Sequence, residues 1–383
     1  MSQGYSDFDQ YIRQGEPAQR ERAEAWSVAI GLQAVDGLKT SEYLQETARK
    51  NIEGTITIDE ARELVKRYYI TKTTHDADDA YKEEADNVSA NITKILSSKT
   101  FDFSTKGYIS LHRRIFEGVF KHAGELRQYD ITKKEWVLNG DTVNYLNWED
   151  LRRAIDYDLE QERQFSYKGI WRDDMIVHIA RFVSSLWQIH AFGEGNTRTT
   201  AVFTILYLRH LGVKVSNELF AQHSWYFRNA LVRANYKNAV KGIDYTPVYL
   251  ERFFRNLLYG EKWDLRNRYL HIDPTEEWRV QPNLATPTSS PTSSPTSSPT
   301  SSIHTDNKNI IRLVKALGEE QLSVKIMMEK IGLKDRENFL DYSLKPSLNE
   351  GFVRLLYPDS PRHPRQKYLL TVKGLALYND LMK

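Results

Sequence analysis

The sequence predicts a mainly α-helical protein with a large N-terminal part and a small C-terminal domain. Long stretches carry apolar residues at helical spacing, which is typical of helices that bury one face or more. One such series is Met175, Ile176, Ile179, Phe182, Val183 and Leu186. A single stretch has the features of a β-hairpin, and one tract of Pro, Thr and Ser has no apolar side chain to bury. These observations indicate a helical core with one hairpin, then a linker, then a second domain.

Composition excludes several kinds of chemistry. The chain has 383 residues and no cysteine, so disulfides, thiolate zinc sites, iron–sulfur clusters and a cysteine nucleophile are excluded. Its 53 Lys and Arg against 51 Asp and Glu give a net charge of +2, which indicates no particular partner. The N-terminal residues have no apolar core of a signal peptide, and no apolar run reaches the roughly 18–20 residues of a membrane helix. We therefore expect a cytoplasmic protein with no membrane partner.

A repeated tract divides the chain. Residues 286–302 contain four successive Pro-Thr-Ser-Ser units, which predict an extended, solvated linker. The domains expected are a small helical unit at 1–70, a core at 80–284, the linker at 285–302 and a C-terminal domain at 303–383. Within the first unit, Thr57-Ile-Asp-Glu60 has the capping-box pattern that starts a helix.

The hairpin is predicted for residues 131–146. Two β-prone runs flank Asn139-Gly140, which is the strongest short hairpin signal. A lone hairpin in a helical domain needs neighbours to stabilise it, so a flap over a site is one interpretation. A surface excursion between two helices is the equally open alternative.

The segment with the most chemistry is His190-Ala-Phe-Gly-Glu-Gly-Asn-Thr-Arg198, a short loop between two predicted helices. Its glycines allow a tight turn, and Asn196 is a natural N-cap for the second helix. Backbone N–H groups of such a turn, together with a helix N-terminus, form an anion site that suits phosphate.

The side chains of this loop also suit phosphate chemistry. His190 is the group that titrates near neutral pH and can act as a base. Glu194 offers the oxygen ligand that Mg²⁺ prefers, and Arg198 offers a fixed fork for phosphate oxygens. These are the parts of a phosphoryl- or nucleotidyl-transfer site. On spacing alone, a capped helix–loop–helix with a core histidine and a surface ion pair is an equally open alternative.

At these residues the chain resembles the Fic family, whose pattern is His-x-Phe-x-(Asp/Glu)-Gly-Asn-Gly-Arg-x-x-Arg. The matching positions are His190, Phe192, Glu194, Gly195, Asn196 and Arg198. The resemblance runs from about residue 108 to about residue 256 and includes Leu111-His-Arg-Arg-Ile-Phe116 and His122-Ala-Gly-Glu-Leu-Arg127. The predicted hairpin stands at the place of the family's target-docking flap. The resemblance implies a Fic-type helical core with a β-hairpin flap.

The resemblance implies that the protein is a nucleotidyltransferase, a protein adenylyltransferase (AMPylation enzyme). AMP would pass from ATP to a Ser, Thr or Tyr hydroxyl of a target protein or of the chain itself. His190 would accept the hydroxyl proton, and Glu194 would hold Mg²⁺ against the phosphates. Arg198 would contact the leaving pyrophosphate, and Tyr226 and Asn235 would lie on the adenine side. The ATP-binding residues implied are Gly193, Gly195, Asn196, Thr197, Arg198, Tyr226 and Asn235.

The chain departs from the family pattern at three positions. Ala191 replaces the usual proline, and Thr197 replaces the second glycine, which places a hydroxyl near the phosphates. Ala201 replaces the final arginine, which in the family orients the γ-phosphate and pairs with an inhibitory glutamate. These departures leave open which nucleotide is used.

Ile52-Glu53-Gly54 resembles the end of the family's inhibitory helix, and residues 1–70 resemble the antitoxin-like unit of some Fic proteins. This resemblance implies a regulatory role for Glu53. The alternative, favoured on base rates, is that Glu53-Gly54 simply ends a helix in a small bundle.

Residues 303–383 resemble the winged helix-turn-helix modules attached to many Fic proteins. Three helical segments, 309–317, 324–331 and 336–350, precede two strands and a final helix, with Arg362, Arg365 and Lys367 on the wing. The segment has 14 Lys and Arg against 10 Asp and Glu, which is mild for a DNA-binding domain. DNA contact, protein contact and a homodimer all stay open as roles of this domain.

Two classes of function follow. The first is the Mg²⁺- and ATP-dependent adenylyltransferase, with transfer of another phosphate-containing group as a variant of it. The second is a nucleotide-sensing, DNA-binding regulator with a degenerate Fic core.

Overall fold

The computed structural model describes residues 8–72, 78–98, 100–213, 215, 218–273, 305, 307–318, 320, 322–333, 335–355, 367–371, 374, 377–378 and 381. The chain forms two compact units, residues 1–290 and 291–383. The predicted linker and the wing residues Arg362 and Arg365 lie outside the described residues. The prediction of a mainly α-helical protein is confirmed. Within the described residues, no helix is long and apolar enough to cross a membrane.

The first unit is built from helices joined by short loops and 3₁₀ turns. The α-helices are α1 Asp9–Gln14, α2 Pro17–Gly31, α3 Glu42–Glu53, α4 Ile58–Thr71, α5 Asp79–Ser97, α6 Thr105–Ile115, α7 Leu151–Gln164, α8 Arg172–Ile189, α9 Asn196–His210, α10 Glu218–Asn235 and α11 Val248–Tyr259. The 3₁₀ turns are Leu32–Asp36, Trp136–Leu138, Trp148–Asp150 and Asn267–Leu270.

Helix α9 lies at the centre of this unit. Every residue from Asn196 to Leu208 is buried, and α9 packs against α6, α8 and the 3₁₀ turn at Leu32–Asp36. A helix that is buried on all sides has its position fixed by its neighbours. The loop that enters α9, which carries the predicted site, is therefore held at its helical end.

Residues 8–71 have an apolar cluster of their own, which includes Trp26, Leu44 and Val65. Helix α2 nevertheless contributes Val28 and Ala29 to the main core, and Leu32 of the following 3₁₀ turn belongs to that core as well. This segment is therefore packed as part of the first unit and does not form a separate one. The capping box at Thr57 is confirmed, because its hydroxyl accepts from the Glu60 N–H while Glu60 binds the Thr57 N–H.

The hairpin prediction for residues 131–146 is wrong for the strands and confirmed for the turn. Asn139 and Gly140 both have positive φ, 54° and 84°, as a reversing turn requires. Residues 131–146, however, contain no strand, and the sequence before the turn forms the 3₁₀ turn Trp136–Leu138. The backbone here forms local turn hydrogen bonds instead of a strand ladder, from the Leu138 N–H to the Glu135 oxygen at 3.1 Å and from the Asn139 N–H to the Trp136 oxygen at 3.0 Å.

The second unit contains α12 Lys308–Leu317, α13 Val324–Ile331, α14 Arg336–Phe339, a π-turn at Leu340–Leu344, α15 Lys345–Asn349 and strands β1 Val353–Leu355 and β2 Tyr368–Leu370. The strands pair antiparallel with Val353 opposite Leu370. The predicted third helix therefore exists with a π-turn inside it. Pro346, which has no N–H to donate to the preceding turn, accounts for that widening.

Candidate active site

The predicted loop lies between α8 and α9, and its backbone is unusual at both ends. His190 ends α8 with a left-handed backbone, φ 49° and ψ 55°. Gly195 precedes the first residue of α9 and is also left-handed, with φ 73°. A left-handed backbone is uncommon for a residue with a side chain, so the position of His190 depends on strong contacts around it.

Arg127 provides contacts of that kind. Its guanidinium is 4% exposed and donates to the backbone oxygens of His190 at 2.8 Å, Ile189 at 3.3 Å and Tyr129 at 2.5 Å, as well as to that of Leu146. The backbone N–H of Arg127 donates to the backbone oxygen of Ala191 at 3.0 Å. Arg127 therefore holds the end of α8 in the conformation that presents the His190 side chain.

His112 and Phe116, both on or beside α6, support the rest of the loop. The His112 ring stacks on Phe192 with centroids 3.8 Å apart. The His112 Nδ1 accepts from the backbone N–H of Gly124. Its Nε2 therefore carries the proton and donates to the backbone oxygen of Glu194 at 3.1 Å. Burial lowers the pKa of His112 to about 4, which keeps this ring neutral. Gly195 packs so closely on Phe116 that a Cβ there would overlap the ring.

Two sequence expectations for the loop need correction. Asn196 is not the N-cap, because Gly195 takes that position and Asn196 is the first residue of the helix. The Asn196 side chain instead binds both backbone groups of Phe192, accepting from its N–H at 2.9 Å and donating to its oxygen at 2.7 Å. The Thr197 hydroxyl accepts from the Trp187 indole N–H at 3.0 Å, so it braces the loop against α8.

The backbone N–H groups of the loop are available. Across the described residues, no hydrogen bond uses the N–H of residues 193–198 as its donor. Several unpaired N–H groups in a glycine-rich turn that opens a helix favour an anion, and phosphate in particular. These N–H groups therefore have no protein acceptor among the described residues, and the anion site at this loop stays a prediction.

His190 faces this loop from a buried position. Its side chain is 4% exposed, and its Nδ1 has no hydrogen-bond partner within the part of the chain that the structure describes. Its ring lies against Tyr145, with centroids 4.0 Å apart. Burial is the main cause that lowers the pKa of His190 well below its ordinary value, and the cations of Lys133 and Arg228 add to it. The imidazole is therefore neutral at pH 7, which is the form a base needs, although the same burial and cations oppose its protonation.

Glu194 projects from the loop and forms an ion pair with Lys133 at 3.2 Å, with 58% of its side chain exposed. Lys133 belongs to the segment 131–146, so the predicted flap does contact the site. Among the described residues, no group of three or more His, Asp or Glu side chains could hold a metal ion. A magnesium site here would consist of Glu194 and the oxygens of a bound phosphate ligand.

Arg198 differs most from its expected position. It is only 2% exposed, and it pairs with Asp36 at 2.8 Å and Glu84 at 2.8 Å. It also donates to the Gln33 side-chain oxygen at 3.0 Å. The guanidinium is therefore occupied by side chains of α5 and the 3₁₀ turn Leu32–Asp36.

Arg228 on α10 is a residue that the sequence reasoning missed. It pairs with Glu135 at 3.0 Å and with Asp36 at 3.3 Å, and Glu135 is 1% exposed. No motif marks this arginine in the sequence. Its only signal is its place two residues after Tyr226, which the resemblance assigns to the adenine side.

The two residues expected on the adenine side are engaged elsewhere. Tyr226 is 1% exposed and donates to the Tyr249 oxygen at 3.2 Å, so its ring offers no surface to a ligand. The Asn235 side-chain amide donates to the backbone oxygen and the hydroxyl of Ser184 and to the backbone oxygen of Leu231. The neighbouring Trp225 is partly exposed, and its ring lies 6.5 Å from that of Trp136 in the segment 131–146.

Glu53 and Gly54 end a helix, as the structural alternative predicted. Glu53 is the last residue of α3, and Gly54 follows it with φ 83°. The Glu53 carboxylate accepts from the Tyr11 hydroxyl at 2.5 Å. The structure thus gives Glu53 a contact with α1, and the carboxylates that reach Arg198 are Asp36 and Glu84.

A neutral, buried histidine thus lies beside a glycine-rich helix N-terminus whose N–H groups have no acceptor among the described residues, and this arrangement suits a phosphate ligand. Two family models match segments of the chain. Residues 102–208 match the model of the Fic/DOC family, and residues 308–371 match that of the filamentation induced by cAMP protein Fic-like, C-terminal domain. These two segments are therefore similar to a Fic/DOC family domain and to a Fic-like C-terminal domain. Domains of the Fic family are generally transferases of nucleotidyl or phosphate groups.

Two solved structures are similar to the chain. One is a Fic family protein from Desulfovibrio desulfuricans G20, with 16% identity, 97% of each chain covered and a TM-score of 0.39. The other is the N-terminal Fic domain of a Bartonella effector protein from Bartonella sp. AR 15-3, also with 16% identity and a TM-score of 0.39. It covers 49% of this chain and 85% of that one. Among curated proteins, none matches the chain significantly.

Proposed function

We propose that the protein is an adenylyltransferase that transfers AMP from ATP to a Ser, Thr or Tyr hydroxyl of a protein, either a target or the chain itself. The observation that carries this proposal is the neutral His190 beside the unpaired N–H groups of residues 193–198. A base and an anion cradle at the same loop are what a hydroxyl needs in order to attack a phosphorus atom. The Fic/DOC family match supports the same class of reaction.

In this reaction the hydroxyl oxygen bonds to the α-phosphorus while its proton passes to the His190 imidazole. The bond from the α-phosphorus to the bridging oxygen breaks, and pyrophosphate leaves. The open N–H groups of the loop bind the α-phosphate oxygens. Arg127 has no contact with the reacting atoms in this scheme, and its role is to position His190.

Mg²⁺ is implied by the family, and the donor set of the site suits it. A single half-exposed carboxylate, Glu194, is what a magnesium ion needs when phosphates supply its other ligands. When bound, the ion would neutralise charge on the phosphates. Glu194 must then exchange its ion pair with Lys133 for the metal, so the segment 131–146 has to shift at Lys133.

Labelled ATP tests the proposal. The protein incubated with Mg²⁺ and ATP should incorporate label from the α-phosphate and none from the γ-phosphate, with a mass gain of about 329 Da for an AMP group. A His190→Asn variant should lose the label, and Asn is suited to the left-handed backbone at this position. His210→Asn, at the far end of α9, is the matched control and should label normally. Label from the γ-phosphate alone would exclude adenylylation in favour of a kinase-like reaction.

A second candidate is the nucleotide-sensing regulator. The observation that favours it is that Glu194, Arg198 and Arg228 are all paired with protein groups. In that case ATP binding without any His190-dependent incorporation is expected. A mobility shift of promoter DNA by the whole protein, weakened by added salt, would then support a DNA contact through residues 303–383.

A further inference from the structure

The inference concerns the side chains that surround the His190 imidazole. Its Nδ1 is buried and has no hydrogen-bond partner among the described residues, which leaves Nε2 as the nitrogen that can act on a ligand. In a catalytic histidine, a hydrogen bond from a carbonyl or a carboxylate often fixes the ring nitrogen that does not react. Here the orientation of the ring has to come from packing against its neighbours.

Two aromatic rings, those of Tyr145 and Trp187, contact the imidazole, and the three rings are here called the ring cluster. The Tyr145 ring lies over one face of the imidazole, with centroids 4.0 Å apart and planes inclined by 36°. The Trp187 ring meets the imidazole at 89°, with centroids 5.3 Å apart. The Tyr145 and Trp187 rings also contact each other, with centroids 5.7 Å apart, so the cluster is closed. Aromatic contacts at these separations are favourable.

A hydrogen bond fixes the far end of the Tyr145 ring. Its hydroxyl donates to Oε1 of Glu135 at 3.2 Å. Glu135 is itself buried, and Arg228 donates to its two carboxylate oxygens at 3.1 and 3.0 Å. Burial and the charge of Glu135 raise the pKa of Tyr145, so the hydroxyl keeps its proton and stays the donor. The ring is therefore held by its backbone at one end and by a carboxylate at the other.

One side chain fixes the backbones on which the Tyr145 and His190 rings stand. The Arg127 guanidinium donates to the backbone oxygen of His190 at 2.8 Å and to that of Leu146, the residue after Tyr145. The separation of the two rings is therefore set by a shared backbone contact as well as by their packing.

We propose that Tyr145 is a positioning residue for His190: its ring, fixed by Glu135, keeps the imidazole oriented with Nε2 on the open side and shields one face from water. The inference rests on the proposed function, because it assigns a partner to the base of that reaction. Tyr145 has no contact with ATP or with the acceptor hydroxyl in this scheme. It acts through His190 alone.

The charges around the imidazole predict how loss of the ring changes its titration. Burial is the main cause that lowers the pKa of His190. The cations that act in the same direction are Lys133, Arg228 and Arg127. The nearby backbone oxygen of Trp187 acts in the opposite direction, and Glu135 reaches the cluster through the Tyr145 hydroxyl. Removing the Tyr145 ring admits water to the imidazole and weakens the largest of these effects, so the pKa of His190 should rise.

The first measurement is the NMR titration of the His190 imidazole in the full chain, whose signal is the one that disappears in His190→Asn. In the natural protein its midpoint should lie well below the ordinary value for histidine. Tyr145→Leu removes the ring and should move the midpoint up toward that ordinary value. Tyr145→Phe keeps the ring and should leave the midpoint where the natural protein has it. This measurement requires neither ATP nor transfer.

The second measurement is the rate of AMP transfer as a function of pH. Tyr145→Leu should lower kcat by about tenfold to 100-fold near neutral pH, because the base is no longer held in place, and should leave KM for ATP nearly unchanged. Its rate should also fall as the pH is lowered through the raised pKa of His190, since a protonated imidazole accepts no proton. Tyr145→Phe loses only the bond to Glu135, so its kcat should fall by no more than about threefold.

The matched control is Tyr249 on α11, which is also partly buried against the main core. Its hydroxyl donates to the Tyr269 backbone oxygen at 2.8 Å, and α11 carries none of the rings of the cluster. Tyr249→Leu should lower the free energy of unfolding but leave the His190 titration and the pH dependence of transfer unchanged. Native tryptophan fluorescence checks that each variant is folded. If Tyr145→Leu does not fold, Tyr145→Met replaces it with the same expected results.

The inference is overturned if His190 titrates in Tyr145→Leu as it does in the natural protein. It is also overturned if Tyr145→Phe loses as much activity as Tyr145→Leu, because the ring would then not be the part that acts. The expected titrations without any transfer of AMP would support the role of Tyr145 toward His190 and contradict the proposed function. Transfer of AMP with an unchanged titration in Tyr145→Leu would do the reverse.

Discussion

Gly195 allows a sharp test of how the loop is held. Replacing it with alanine adds one methyl group at a position where φ is 73° and where the new Cβ would overlap the Phe116 ring. Phe116 is fully buried and stacks on Phe120 at 4.9 Å and against His112 at 4.7 Å. The Arg198 guanidinium lies 4.8 Å from its centroid. Because the ring is enclosed on several sides, it cannot move aside freely.

Two costs add up in the Gly195→Ala variant. A left-handed backbone costs a residue with a Cβ about 1–2 kcal/mol. Forcing a methyl group into a packed region costs about 1–3 kcal/mol more. The free energy of unfolding should therefore fall by about 2–5 kcal/mol in total.

Gly212 is the matched control, because it lies just beyond the other end of the same helix. Its φ is 79°, and a Cβ there would contact nothing within 4 Å. Gly212→Ala should thus show only the backbone cost of about 1–2 kcal/mol. Urea unfolding followed by tryptophan fluorescence is the assay, because all 8 tryptophans lie in the first 290 residues and report on the first unit only.

A Gly195→Ala variant that loses no more stability than Gly212→Ala would contradict an overlap with the Phe116 ring. A double-mutant cycle with Phe116→Leu locates the cause. If the ring is the obstacle, Gly195→Ala should cost less in the Phe116→Leu background than in the natural one. Equal costs in both backgrounds would place the strain in the backbone.

Three further predictions concern stability. Because the pKa of folded His112 is about 4, the unfolded chain takes up this proton first as the pH falls below about 6.5. The free energy of unfolding should therefore fall by about 2 kcal/mol between pH 7 and pH 5 on account of His112. The His112→Gln variant should lose less over that range, and equal losses would contradict the prediction. Thr57→Ala removes half of a capping box and should lower the free energy of unfolding by about 1 kcal/mol, visible as a lower urea midpoint. In Arg127→Lys the ammonium cannot reach the same set of backbone oxygens, so the free energy of unfolding should fall by about 1–3 kcal/mol and most AMP transfer should be lost. Full activity at unchanged stability would exclude the positioning role of Arg127.

The helices around the site were predictable because their signals are local. The apolar series before His190 and the capping box at Thr57 both depend on neighbours within a few residues, and the structure has them where the sequence placed them. The loop itself was also predictable, since its glycines leave few conformations. The position of the cap was not, because the Asn196 amide binds both backbone groups of Phe192 and leaves the left-handed entry to Gly195.

The partners of the charged side chains were not predictable. Asp36 and Glu84 reach Arg198 from parts of the chain far earlier in the sequence, and only the packing of α9 against the N-terminal helices brings them together. The same is true of Arg228 and Glu135. In the segment 131–146, the local turn signal was right, but the residues before the turn form the local hydrogen bonds of a 3₁₀ turn instead of pairing as a strand.

The two sets of ion pairs around His190 differ in their exposure to solvent, and dissolved salt should therefore act on them differently. The pair of Lys133 with Glu194 is open to water on the glutamate side, with 58% of that side chain exposed, so screening by salt weakens it. Arg198 is only 2% exposed, and counterions barely reach its contacts. Raising the concentration of sodium chloride should thus weaken the contact of Glu194 with Lys133 while Arg198 stays paired with Asp36 and Glu84.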